Sequence, residues 1–443
     1  MKKIALVFTI FVAICVITGV GTSCSKTAFS EEIYDSLIEL KSPVDTVDPS
    51  HTWMLTAKIN ELKVNVNGGV GAKMFQILTD DPLATSDINI IAQRPVEEGD
   101  QFSMSISYPS RLKTLYGALV DAEGRYTVMK FKPSSSTSVD FSSPLFKSQG
   151  LSEEPSLLYY AYCYEDEMPE PGDYDYNDLV MHLALERTGE KKIRFHVKVA
   201  AVGSNKQLAF LIRLPGISMD DIDSLYAEDD KSFNVNMHGE QLKQQSSYVE
   251  NDKLLNKLLV TSKNGEPIIN FFADAHWAIG EVKYNDYGQY DRKQYNVNYG
   301  TTSTTAELLP REIIYVLKVK DAQKLNSLTL EDMDPFAMKA YGNIIREIHT
   351  FPYRFVDALY ENKYVDVKNL PWALVVPSGS FWHPLHGQNI GFRMKNEYTQ
   401  NNEILYGAYR KQGHSFGEWS LNRNQSLDWY LNDNATKSQV YIW

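Results

Sequence analysis

Apolar and polar residues alternate with a period of two over much of the chain. Leu62, Val64 and Val66 are interleaved with Lys63, Asn65 and Asn67, and Phe102, Met104, Ile106 and Tyr108 with Ser103, Ser105 and Ser107. Leu115 to Val120, and Tyr126 to Phe131 after the turn residues Glu123-Gly124, continue the pattern. This is the signature of half-buried strands joined by turns, and it predicts an antiparallel sandwich over residues 51–148. Pro133 to Ser138 reads as a loop, and Ser142 to Pro155 as a boundary. A second β region spans residues 157–435, with strands expected at Leu157–Tyr162, Leu179–Leu185, Ile193–Val199, Leu208–Leu214, Ile313–Val319, Ile344–Ile348 and Leu374–Val376. Residues 220–310 are rich in Asn, Gln, Asp and Tyr and read as long polar loops, and Thr399 to Tyr409 reads as a helix. The expected architecture is mainly β: two sandwich-like or jelly-roll-like domains with few short helices.

The N-terminus breaks the pattern. Lys2 and Lys3 precede an apolar run from Ile4 to Val20, which closes on Gly21-Thr22-Ser23-Cys24. A basic start, an apolar centre and a small-residue end are the parts of an export signal. A membrane anchor is the alternative, since the run approaches the length of a span. The small residues, the Cys and the polar Ser25-Lys26 favour cleavage. The segment resembles a bacterial lipoprotein signal, departing from it at Thr22. The resemblance implies a signal peptide over residues 1–23, a lipidated Cys24, a tether over residues 24–50, and anchoring in the outer membrane through lipid chains instead of a folded span.

Bulk composition narrows the options further. The chain has 443 residues, a formal net charge of −12 and no long basic run, so nucleic acid is excluded as an expected partner. Three cysteines, Cys15 in the leader, Cys24 at its end and Cys163, provide neither a disulfide framework nor a zinc cluster. Cys163, between Tyr162 and Tyr164, reads as a small buried residue.

The one concentrated piece of chemistry is Gly172-Asp173-Tyr174-Asp175-Tyr176-Asn177-Asp178-Leu179-Val180. Asp173, Asp175 and Asn177 occupy alternate positions, so their oxygens converge if the loop is tight, and Asp178 adds a fourth. Glu165 and Asp166 add more if Pro169 to Gly172 turns the chain back. Calcium takes six to eight hard oxygens of these kinds, and carboxylates crowded without a cation repel one another. The alternative is an acidic turn in which Asp and Asn bond their own backbone. The EF-hand glycine and distal glutamate are absent. No nucleophile elbow, His-Glu-x-x-His or phosphate-binding glycine loop is present, so no catalytic residue is assigned and an enzyme is not expected. Trp372, Trp382, Trp419, Trp429 and Trp443 could form a sugar-stacking platform if exposed together, and are core anchors otherwise.

The Tyr-rich strand, Glu165-Asp166 and the acidic stretch resemble the opening of the LruC-domain family, a domain of unknown function in exported lipoproteins of Bacteroides-type bacteria. Further pieces similar to that family are Ala201-Val202-Gly203, Leu208 to Gly216, Asp334-Pro335-Phe336, Arg346 to His349, Leu370 to Leu374, Phe416 to Trp419 and Asp428-Trp429-Tyr430. The chain departs from the pattern at His383-Pro384-Leu385-His386 and at Gly391 to Asn402. The acidic stretch is also similar to one in a calcium-associated domain of large surface proteins. The resemblance implies an envelope lipoprotein with structural Ca2+ at Asp173, Asp175, Asn177, Asp178, Glu165 and Asp166, acting in binding or adhesion towards a glycan or protein ligand. The alternative is a glycan-binding or glycan-degrading lipoprotein of a polysaccharide-uptake system.

Overall fold

Eight short strands build the N-terminal half: β1 (Thr56–Asn65), β2 (Ala72–Leu78), β3 (Asn89–Pro95), β4 (Gln101–Pro109), β5 (Leu115–Asp121), β6 (Tyr126–Phe131), β7 (Ser136–Asp140) and β8 (Ser156–Leu157). They form a sheet of order β4-β1-β7 facing one of order β6-β5-β2-β3-β8. In this computed structural model the described residues are 42–44, 46–68, 70–142, 145–147, 154–170, 172–228, 233, 258–261, 265–280, 292–297, 308–341, 344–350, 364–395 and 403–443. The expected signal peptide, Cys24 and most of the expected tether lie outside them.

Alternation decides which side chains fill the sandwich. Leu62 and Val64 of β1 point inward with Phe75, Ile77, Met104, Ile106, Leu115 and Leu119. A register shift between Ile59 and Leu62 lets both be buried although an odd number of steps separates them. The expected loop at Pro133 to Ser138 is corrected here: from Ser136 onward it is β7, which pairs parallel with β1. Of its five residues only Val139 is buried, too few to leave a period-two signature.

The second half carries β9 (Tyr160–Tyr164), β10 (Leu179–Gly189), β11 (Lys192–Ala201), β12 (Gln207–Arg213), β13 (Ile222–Ala227), β14 (Leu259–Thr261), β15 (Pro267–Phe272), helix α1 (Ala275–Ile279), β16 (Arg311–Val319), helix α2 (Gln323–Asn326), β17 (Asp334–Tyr341), β18 (Ile344–His349), β19 (Ala373–Val376), β20 (Phe392–Lys395), β21 (Glu403–Tyr406) and helix α3 (Phe416–Leu421). One sheet has the order β13-β16-β11-β10-β9-β19 and its facing sheet β14-β15-β12-β17-β18, with β20-β21 as a separate hairpin. The mainly β expectation therefore holds, with two sandwiches and three short helices among the described residues. Two local expectations do not. Residues 403–406 form strand β21 and not part of a helix, and the polar middle contains β13, β14, β15 and α1. Every residue of β15 is buried, so it shows no alternation to read.

The large sheet is covered on both faces. Tyr162, Tyr164, Met181 and Leu183 face the facing sheet across a core that includes Phe195, Phe210 and Phe271. Ala161, Cys163, Val180, Leu374 and Val376 face the opposite way, onto an aromatic layer of Trp53, Phe381, Tyr409, Phe416, Trp419 and Trp429. Val44 and Val47 join this layer, with the Val47 N–H donating to Lys368 O at 2.9 Å. Cys163 is the free, buried thiol expected, and burial raises its pKa. Trp372, Trp419 and Trp429 are core residues.

Candidate functional site

The acidic stretch is the connection between β9 and β10, which pair antiparallel with Tyr164 opposite Leu179. That pairing brings Glu165 and Asp166, just after one strand, beside Asp178, just before the other. The Asp166 N–H donates to Asp178 Oδ2 at 2.7 Å, and the Tyr176 N–H to Glu165 Oε1 at 2.6 Å. Tyr174 and Tyr176 have φ of 56° and 51°, a left-handed conformation that β-rich sequence rarely adopts outside tight loops. Their rings enter the aromatic layer, where the Tyr176 hydroxyl donates to Pro371 O at 2.9 Å and the Tyr174 hydroxyl to Asp366. The two tyrosines thus peg the loop while the intervening acids meet on its other side.

Asp173, Asp175 and His386 each bring a ligand atom within 4.8 Å of the other two. Asp175 is 1% exposed and accepts the Asn177 N–H at 3.1 Å and the Gly387 N–H at 2.7 Å. His386 Nδ1 lies 3.9 Å from Asp175 Oδ2. The Asn177 side-chain amide donates to Pro384 O at 2.9 Å, and the Asn389 amide to Asp173 O at 3.3 Å. At this loop two buried oxygens, Glu165 Oε2 and Asn177 Oδ1, have no hydrogen-bond partner among the described residues. Each lies against a glycine. A Cβ at Gly172 would sit 2.0 Å from Glu165 Oε2, and one at Gly203 would sit 2.2 Å from Asn177 Oδ1. No other residue type leaves these two oxygens where they are.

Electrostatics divides the six predicted ligands into two sets. Asp166 is paired: it accepts from the Ser204 hydroxyl, and Lys206 Nζ lies 2.6 Å from its Oδ1 and 2.6 Å from Glu167 Oε1. Asp178 holds the Asp166 backbone. Among the described residues no lysine or arginine pairs with Glu165, Asp173 or Asp175. Burial, and then the charges of Asp175, Asp173 and Asp178, hold the Glu165 carboxyl well above the usual range. Burial and Asp173 do the same to Asp175, and burial with Asp166 and Asp175 to Asp178. Such a cluster is expensive when ionised. Of the predicted carboxylates, Asp173 and Asp175 are the two whose oxygens converge, with His386, while Glu165, Asp166 and Asp178 lie outside that group among the described residues.

Sequence reasoning missed the segment that closes this site. Pro384, His386 and Gly387 lie on the His383-Pro384-Leu385-His386 departure, about two hundred residues away along the chain, and no periodicity ties them to the loop. Lys206, which neutralises Asp166, was equally unmarked. The sugar-stacking platform does not form: Trp372, Trp419 and Trp429 are buried, Trp382 is half-buried, and Trp443 is 39% exposed.

Among curated proteins none matches this chain. A solved structure named "Putative lipoprotein from Bacteroides ovatus" is similar at a TM-score of 0.49 and 13% identity, covering 84% of this chain and 100% of that one. Residues 191–400, from β11 to just past β20 and including His386 but not the acidic loop, match the profile of a domain of unknown function (DUF4842).

Proposed function

We propose that this is an exported, lipid-anchored envelope protein whose second sandwich is fastened by a structural calcium ion, and that it acts by binding or adhesion. The observation that carries the calcium reading is Glu165 Oε2, a buried carboxylate oxygen without a hydrogen-bond partner beside two further carboxylates that no described lysine or arginine neutralises. In this reading Asp173 and Asp175 hold the ion, Glu165 and Asn177 supply further oxygens, and Asp178 orders the loop. The ion offsets the mutual repulsion and fixes the entry into β10. The oxygen-dominated donor set favours calcium over softer metals, with His386 at the rim. Anchoring rests on the order Lys2-Lys3, apolar run, Cys24; among the described residues no helix is long and apolar enough to cross a membrane. The glycan-directed alternative loses the exposed tryptophan row on which it depended.

Calcium added to chelator-treated protein raises the melting temperature saturably, by the equivalent of about 2.7 kcal/mol at a hundredfold excess over Kd. Asp175→Ala removes the rise. A wild-type chain whose melting is indifferent to calcium would sink the proposal.

A further inference from the structure

A cavity of about 50 Å³ lies between the two sandwiches, at the end of β10 remote from the acidic loop. Along β10 the positions facing the core are Met181, Leu183 and Leu185, and the next of the same parity is Arg187. A guanidinium therefore stands where the pattern calls for an aliphatic side chain. Arg187 is 5% exposed and lines the cavity together with Gln93, Ser107, Tyr160 and Thr329.

Among the described residues nothing balances the charge on Arg187. Its two terminal nitrogens donate to Asn326 Oδ1 at 2.9 Å and to Leu325 O, both uncharged. That uses two of the five N–H donors of a guanidinium. Among the described residues no carboxylate pairs with it. The neighbouring charge it feels is a like one, Arg94, which is itself paired to Glu190 at 3.6 Å. Glu331 is close in sequence to the cavity wall and its charge acts on Tyr108, Tyr162 and the lining Tyr160, whereas the charge acting on Arg187 is that of Arg94. Burial, then Arg94, pulls the Arg187 pKa down to about 10, so it stays protonated at neutral pH. A second donor is also waiting: Ser107, 8% exposed, lines the same cavity, and its hydroxyl has no partner.

We propose that this cavity binds a small monoanion, a carboxylate group, held by the fork of Arg187 with the Ser107 hydroxyl as an additional donor. The planar guanidinium matches a carboxylate edge to edge. A void of this size has room for roughly three or four water-sized centres, enough for a formate or the end of an acetate-like group. A single net positive charge suits one negative charge and is overbalanced by a phosphate dianion. Leu328 and Leu330 are among the cavity's apolar lining residues.

The test uses the full chain in detergent, with calcium and ionic strength held constant. Formate, acetate, chloride and phosphate are titrated separately, followed by calorimetry and melting temperature. Formate and acetate bind saturably. Arg187→Lys, which keeps the charge but loses the fork, and Ser107→Ala, which removes one charge-assisted hydrogen bond, each weaken binding about tenfold. Arg187→Gln abolishes it. Three results overturn the proposal: no saturable binding of formate or acetate to wild type, chloride or phosphate binding more tightly than either, or unchanged affinity in both Arg187→Lys and Ser107→Ala. The last comparison stands even where Arg187→Gln fails to fold.

Discussion

Asp334 and Asp175 are buried to the same depth, 0% and 1% exposed, in the same half of the molecule, yet their surroundings are opposite. Asp334, at the start of β17, has Arg213 at 2.5 Å and His349 Nδ1 at 2.9 Å. His349 in turn reaches Glu347 at 3.1 Å, and Arg213 lies 3.8 Å from Glu266. Burial alone would push the Asp334 carboxyl up, but the charges and hydrogen bonds of His349 and Arg213 outweigh it and hold it below its usual value. Asp175 has backbone donors, the Asn177 side chain, a half-exposed His386 at 3.9 Å and other carboxylates around it, and is held above. The fold is thus able to bring internal cations to a buried acid, and at the acidic loop, among the described residues, Lys206 reaches Asp166 and the neighbouring Glu167 but none reaches Asp175. The contrast teaches that burial by itself does not mark a site; burial without a counter-charge does.

Breaking the balanced side of this contrast has the largest effect. Asp334→Ala leaves Arg213 and an imidazolium buried without their common partner, and costs about 3–5 kcal/mol of unfolding free energy in urea melts. A loss within 1 kcal/mol would show that the network is not electrostatically tied.

The next test is pH. Burial lowers the affinity of His349 for its proton, but Asp334 and Glu347 more than restore it, giving a pKa of about 9 against the ordinary 6.5. The folded state therefore keeps a proton that the unfolded chain releases. Its contribution is complete below about pH 6.5 and is lost as pH rises through 9, a fall of about 3 kcal/mol for this group. Denaturation at pH 6.5 and pH 9.5 measures it, and His349→Gln flattens the difference; an unchanged slope in that variant would assign the fall to other groups.

On the unbalanced side, Gly172→Ala places a Cβ 2.0 Å from Glu165 Oε2 and forces that carboxylate aside. The expected cost is about 1–3 kcal/mol, with a diminished calcium response in thermal melts. A full response would remove Glu165 from the proposed donors. The smallest effect comes from His386→Ala: this side chain is 43% exposed, so the calcium-free protein changes by about 0.5 kcal/mol or less. Calcium titration of the variant then reads out whether the rim imidazole matters to the ion.

Much of the framework was legible in the sequence because alternation announces a strand: β1, β4 and β11 lie on alternating runs, while β10 and β16 were legible as short, nearly continuous apolar runs. β15 was missed because both of its faces are covered, and β7 because a polar edge strand with one buried valine has no pattern. The acidic loop was visible as composition, but its electrical state was not. Asp166 and Glu165 are adjacent in sequence, and only the fold shows that Lys206 reaches one and leaves the other. Arg187 was hidden by an ordinary assumption, that an arginine near the end of a strand points to solvent. Its parity with Met181, Leu183 and Leu185 was the available signal.

The turn from Asp366 to Leu370 joins two parts of the molecule that are far apart in sequence. Asp366 accepts the N–H groups of Lys368 and Leu370 at 2.7 and 3.0 Å and also the Tyr174 hydroxyl, while Lys368 O and the Asn369 amide hold Val47 at 2.9 and 2.8 Å. Val47 lies near the N-terminal edge of the described residues, and Tyr174 is the peg of the acidic loop. Tension drawn along the described chain towards Val47 accordingly meets backbone and side-chain hydrogen bonds at the same turn that seats the loop. Mechanically, the moorings of the chain and of the acidic loop share one cleat.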